Sequence, residues 1–169
     1  MRAAVVTVST SKSAGHGEDV SGPKLRDLLE AAGCDVIAVE LIPDERELIA
    51  GRLRFYADEE GCDLIATTGG TGLSHDDVTP EATRDVIDRE APGFAEAMRL
   101  ASREHVPEHW FLSRGVAGTR DRTLIVNFPG NPKAIEQAGA AITGSLAHAV
   151  GLLGGRKGAS AHDHLEEDE

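Results

Sequence analysis

Short runs of Val, Ile, Leu and Ala alternate along the chain with segments in which apolar residues recur every three or four positions. The run "AAVVTVS" at 3–9 predicts a strand closing on Ser and Thr. "GPKLRDLLEAAG" follows, with Leu25, Leu28, Leu29 and Ala32 at the spacing of an amphipathic helix that Pro23 opens and Gly33 stops. "DVIAVELI" predicts a second strand closed by Pro43 and Asp44, and "ERELIAGRLRFYAD" a second helix with Leu48, Ile49, Leu53 and Tyr56 on one side. "CDLIATT" is too continuously apolar for a strand with one wet face, so it predicts burial on both. Thr79 then suits a helix cap, with Pro80 at the first helical position and Glu81 in the first turn.

Pro92 and Gly93 break that region, and "FAEAMRLASREH" continues as another helix before the loop "VPEHWFLS". "GVAGT" and "TLIVNF" read as two strands around the turn "RDR". The last element is a long helix, "NPKAIEQAGAAITGSLAHAVGLL", opened by Asn131 and Pro132. Alternating strands and helices imply an α/β fold, a mainly parallel sheet with helices on both faces, whose ligands sit at the carboxyl ends of the strands. No internal repeat or linker divides the chain. We expect one domain over 1–155 and a flexible acidic tail over 156–169, ending "HDHLEEDE".

The chain has 169 residues, enough to bury a core without disulfide or metal, and only 4% are aromatic, so that core must be aliphatic. The formal charge of −12 argues against nucleic acid or an anionic membrane as the main partner. No apolar run reaches membrane-spanning length and the first residues are too short and polar for a signal peptide, so the expectation is a cytoplasmic protein. Cys34 and Cys62, each just after a glycine, read as buried thiols at strand edges.

Chemistry enters with "TTGGTGLSHDDVTPEAT", which directly follows the third predicted strand. Gly69, Gly70 and Gly72 let backbone N–H groups approach an oxyanion, and the helix beginning near Thr79 adds its positive end. Neither a Gly-Lys-Ser/Thr loop nor the dinucleotide spacing of glycines is present. Asp76 and Asp77 would repel a phosphate unless a cation stood between them, which Mg²⁺ does by bridging carboxylate and phosphate oxygens. A second glycine- and proline-rich turn, "NFPGNPKA", offers the amides of Gly130 and Asn131, with Lys133 in the first helical turn against the helix dipole. A third, "SRGVAGT", offers the Ser113 hydroxyl and the Arg114 guanidinium. Three anion-suited loops in an acidic domain point to a polyphosphate or nucleotide.

Together with "VSGPKLRDLLEAAG" and "APGFAEAMR", these stretches resemble the MogA/MoaB-type family of molybdenum cofactor biosynthesis, over about residues 3–153. The G domains of gephyrin and its plant counterpart are relatives. The resemblance implies a three-layer α/β/α fold, a homotrimer or homohexamer, and adenylylation of molybdopterin by Mg-ATP with release of pyrophosphate. A downstream molybdenum-insertion protein would take the product.

By the same resemblance the glycine loop with Thr71 holds the pterin phosphate, Asp44 and Asp77 are the functional acids, and Ser113 and the loop through Gly130, Asn131, Pro132 and Lys133 line the cleft. The chain departs from the family at His75-Asp76, where Pro-Arg is common, so an expected arginine is a carboxylate. Two other readings therefore stay open: a paralogue that binds pterin or nucleotide without catalysis, and an oligomeric scaffold.

The seven histidines are scattered, and two distant cysteines make no zinc ligand set. Ser113 has no identifiable base to make it a nucleophile. Trp110, next to Phe111, suits either a subunit interface or edge packing.

Overall fold

Alternate residues of the central strands face opposite ways, and the two sets build two separate cores. The computed structural model describes residues 1–155; the tail expected from residue 156 lies outside the described residues. In chain order the elements are β1 (Arg2–Val8), α1 (Thr10–Ser13), α2 (Ser21–Ala31), β2 (Asp35–Ile42), α3 (Arg46–Arg54) with a π-helical turn at Phe55–Glu59, and β3 (Leu64–Thr68). There follow α4 (Thr79–Arg84), β4 (Arg89–Glu90), α5 (Pro92–Ser102), a 3₁₀ turn at Trp110–Leu112, β5 (Ala117–Arg120), β6 (Thr123–Phe128) and α6 (Pro132–Leu153).

On one face Ala3, Val5, Leu64, Ala66, Leu124 and Val126 pack against Leu25 and Leu29 of α2, Met98 of α5, and Ile135, Ile142 and Leu146 of α6. On the other, Ala4, Val6, Val8, Ile65 and Ile125 meet Ile49 and Leu53 of α3, Tyr56 of the π-helical turn and Ala82 of α4. Each such Leu or Ile contributes about 1.5–3 kcal/mol by leaving water. Every residue of β3 and β6 is buried, as the unbroken apolar run of β3 predicts. Helices cover both faces, giving the expected three layers.

The sheet order is β2-β1-β3-β6-β5-β4. β2, β1, β3 and β6 run parallel, whereas β5 and β4 are antiparallel additions at one edge. The turn expected at "RDR" is the β5–β6 hairpin, where Asp121 takes a φ of 46° and its N–H donates to Asp88 Oδ2 at 2.8 Å. Aspartate tolerates that left-handed conformation better than most residues.

Two local expectations differ from the structure, which also adds two short elements. Thr79 does not cap α4: it is the first helical residue, and its hydroxyl donates to Gly69 O at 2.9 Å. The predicted second helix changes to π geometry at Phe55, where Arg52 lies over the ring at 4.4 Å from its centroid. α1 and β4 were invisible in the pattern, since four polar residues and two exposed ones carry no apolar period.

Candidate functional site

The parallel register sets four loops side by side at the carboxyl edge of the sheet. Val8 pairs with Ile42, Thr7 with Thr68, and Thr68 with Phe128, so the chain leaves β2, β1, β3 and β6 at one level. The emerging residues are Pro43-Asp44, Ser9-Thr10, Gly69-Gly70-Thr71-Gly72 and Pro129-Gly130-Asn131.

Three hydroxyls fix the backbone of these loops. Thr79 donates to Gly69 O at 2.9 Å, Thr68 to Pro129 O at 2.7 Å, and Ser21 of α2 to Gly130 O at 2.8 Å. All three threonine and serine side chains belong to buried residues. In a trans peptide the N–H points opposite to the C=O. Turning these carbonyls toward the fold therefore turns the N–H groups of Gly70, Gly130 and Asn131 toward the open edge. None of the three donates to a protein acceptor among the described residues. Such amides form a cradle for an anion.

Glycine is required here for two reasons. Gly69 has a φ of 98° and Gly70 of 64°, and a β-carbon on Gly69 would run into Val8 O. Gly130 comes so close to Gly69 that its β-carbon would stand 3.1 Å from Gly69 Cα. Any side chain there would push the two loops apart. Thr71 is buried, 7% exposed.

The two acids that the resemblance singles out, Asp44 and Asp77, stand beside the glycine loop. Asp44 Oδ2 accepts from Thr10 N at 2.7 Å and Thr10 Oγ1 at 2.9 Å, and its Oδ1 stands 3.0 Å from where a Gly70 β-carbon would be. These bonds hold α1, whose first residue is Thr10. Asp77 Oδ2 accepts from Ser74 N at 2.9 Å and lies 2.8 Å from where a Gly72 β-carbon would be. Asp76 and His75 are exposed, and neither side chain has a hydrogen bond or ion pair among the described residues.

No group of three or more His, Cys, Asp or Glu able to hold a metal occurs among the described residues. An all-protein metal cage is thus lacking there, while carboxylates on both sides of a phosphate cradle suit Mg²⁺ carried on phosphate oxygens.

Arg114 faces inward. Its Nε donates to Gly72 O at 2.7 Å, Nη2 to Asp77 O at 2.6 Å, and Nη1 pairs with Glu81 Oε1 of α4 at 2.5 Å. Its own N–H donates to Thr71 O at 2.8 Å. The Arg114 guanidinium holds the Glu81 carboxyl below the usual carboxylate range, outweighing the opposing effect of burial. Ser113 is anchored from α5, where Arg99 Nη1 donates to Ser113 O at 3.4 Å and Gly115 O at 3.1 Å. The Ser113 hydroxyl accepts from Gly115 N at 3.3 Å.

The start of α6 adjoins the cradle. Asn131 caps it by accepting Lys133 N at 2.9 Å, and Pro132 occupies the first turn. The Lys133 ammonium pairs with no carboxylate among the described residues.

The structure therefore brings Asp44, Gly69, Gly70, Gly72, Asp77, Gly130, Asn131 and Lys133 to one edge. Reading the sequence missed Thr10, Ser21 and the tie between Glu81 and Arg114. Ser-Thr directly after the first strand was a signal for Thr10. Ser21 and Glu81 act on residues 109 and 33 positions away, which no local pattern conveys.

Comparison with known proteins gives one consistent picture. Residues 4–148 match the family described as "Probable molybdopterin binding domain". A molybdopterin adenylyltransferase of Haemophilus influenzae is 47% identical over 139 residues, 81% of this chain and 70% of that protein. One from Helicobacter pylori is 40% identical over 151 residues, covering 88% of this chain and 85% of its own length. The crystal structure of the molybdopterin biosynthesis enzyme MoaB from Thermus thermophilus superposes with a TM-score of 0.85 at 47% identity, across 91% of this chain and 96% of that one.

Proposed function

We propose that this chain, which belongs to the molybdopterin-binding domain family of molybdenum cofactor biosynthesis, is a molybdopterin adenylyltransferase. The observation that carries the reading is the cradle of three unpartnered N–H groups at Gly70, Gly130 and Asn131, flanked by Asp44 and Asp77.

In the proposed reaction a terminal phosphate oxygen of molybdopterin attacks the α-phosphorus of ATP. The new P–O bond forms as the bond to the β-phosphate oxygen breaks, and pyrophosphate leaves with the electron pair. The Gly69–Gly72 loop and Gly130-Asn131 orient the attacking phosphate, and Lys133 offsets charge on the entering anions. Ser113, which lines a small cavity together with Pro129, would border the bound substrate. Asp44 and Asp77 would hold Mg²⁺ on the nucleotide, where the ion supplies charge neutralisation for the leaving group.

We further propose a cytoplasmic homo-oligomer, a trimer or hexamer, that passes its product to a molybdenum-insertion protein. Exposed Leu100, Val106, Phe111 and Leu112 around Trp110 support an interface on that side. Sedimentation equilibrium reads the oligomer directly. No helix among the described residues is long and apolar enough to cross a membrane.

Incubating the purified protein with molybdopterin, ATP and Mg²⁺ tests the activity, read as adenylyl-molybdopterin and pyrophosphate in equal amounts. Binding of both substrates without product would favour a non-catalytic pterin-binding role, which Asp76 in place of the family's arginine keeps in view.

A further inference from the structure

An arginine beside a phosphate cradle is ordinarily read as an anion ligand, but four of the five N–H donors of Arg114 are already taken within the protein. Gly72 O, Asp77 O and both oxygens of Glu81 accept from its guanidinium, at 2.7, 2.6, 2.5 and 3.4 Å. These partners bracket the turn 73–76, all four residues of which are exposed, Leu73 to 69%. Inside the bracket, Asp77 N donates to Ser74 O at 3.1 Å and Ser74 N to Asp77 Oδ2 at 2.9 Å. The second oxygen of Asp77 has no protein donor among the described residues.

We propose that Arg114 is a positioning residue: with Glu81 it clamps the Gly72–Asp77 turn so that the free oxygen of Asp77 faces the cradle, and it does not touch the substrate anion. The planar fork of arginine suits this task, since it reaches two carbonyls and a carboxylate at once, which a lysine ammonium cannot. The inference rests on the proposed adenylyl transfer for its kinetic consequence, but its structural core does not.

The two roles predict opposite effects of Glu81→Ala. If Arg114 is a clamp, removing Glu81 loosens the turn. Turnover falls about tenfold or more, and Arg114→Lys does the same, with the double variant no worse than the poorer single one, as expected for residues acting as a unit. KM for ATP changes less than kcat, and the salt dependence of molybdopterin binding keeps its wild-type slope. If Arg114 is a ligand, Glu81→Ala frees it, so molybdopterin binds as tightly or more tightly, while Arg114→Lys weakens binding and flattens the salt dependence; that result overturns the proposal.

Amide hydrogen exchange at Ser74 and Asp77 separates the clamp from the activity. Faster exchange in both variants, with the core amides unchanged, is expected even if the wild type adenylylates nothing. Unchanged exchange overturns the clamp whatever the activity.

Discussion

Gly72 and Asp77 are so close that a β-carbon on Gly72 would stand 2.8 Å from Asp77 Oδ2. No left-handed backbone requires glycine at 72, unlike at 69 and 70. Space for the carboxylate is the reason. Gly72→Ala should therefore displace Asp77, break its bond to Ser74 and lower turnover about tenfold, while thermal stability falls only modestly. Steady-state kinetics beside a melting curve check this, and wild-type kinetics would show that the carboxylate tolerates the shift.

Asp77→Asn separates charge from shape. The amide oxygen can still accept from Ser74 N–H, so the turn should persist, but the negative charge is gone. Turnover should drop on the order of 10²-fold, equivalent to several kcal/mol of transition-state stabilisation. Asp77→Ala should cost as much activity and also speed exchange of the Ser74 amide. Full activity in Asp77→Asn would remove its charge from the mechanism.

Asp76 has no partner among the described residues and points to solvent. Replacing this carboxylate by a cation with Asp76→Arg should tighten molybdopterin binding by a few-fold at low salt. The gain should fade as salt rises, because exposed charges are screened within about 10 Å at 0.1 M. Calorimetric titration at two ionic strengths measures both effects. Lost turnover in this variant would make Asp76 a working acid of a rearranged site.

The sign of the pH dependence follows from Glu81. Arg114 lowers its folded-state pKa, and Arg46 and Arg120 likewise lower those of Asp85 and Asp58. A depressed carboxyl contributes stability above its unfolded pKa, about 4.3 for Glu, and loses that contribution as pH falls through the folded value. Wild type should therefore exceed Glu81→Gln in stability at neutral pH, with the gap closing in acid below about pH 4. Chemical denaturation of both proteins from pH 7 downward reads the gap; a constant one would mean that the ion pair contributes nothing.

Cys62 is 2% exposed, and burial pushes its thiol up to about 11. It should stay protonated and react negligibly with a thiol-disulfide reagent at pH 8 until denaturant is added. Rapid labelling of the native protein would reveal frequent opening beneath β3.

The order of strands and helices was legible because each central strand carries enough buried apolar residues to declare itself. The cradle's glycines were legible for a related reason: three in four residues at a strand end have few other uses. What could not be read was how the loops are held. Thr79 looked like a cap, since Thr before Pro and Glu usually is one, but the helix begins one residue earlier than a Thr79 cap requires, with Val78 in the cap position, and the Thr79 hydroxyl donates to the Gly69 carbonyl. Arg114 looked available because a sequence displays charge without its partners, and Glu81 meets it only after α4 folds against the loop before β5.

The three hydroxyls that turn the cradle outward come from three separate elements, α2, β3 and α4. No segment of the chain owns the cradle, so it appears only when both cores have closed. A ligand gripping those amides must then favour the whole native state rather than one loop, by RT ln(1 + [L]/Kd). Substrate would slow the global unfolding that exposes this domain to proteolysis, so that supply of the pterin would set how long the protein lasts as well as how fast it works.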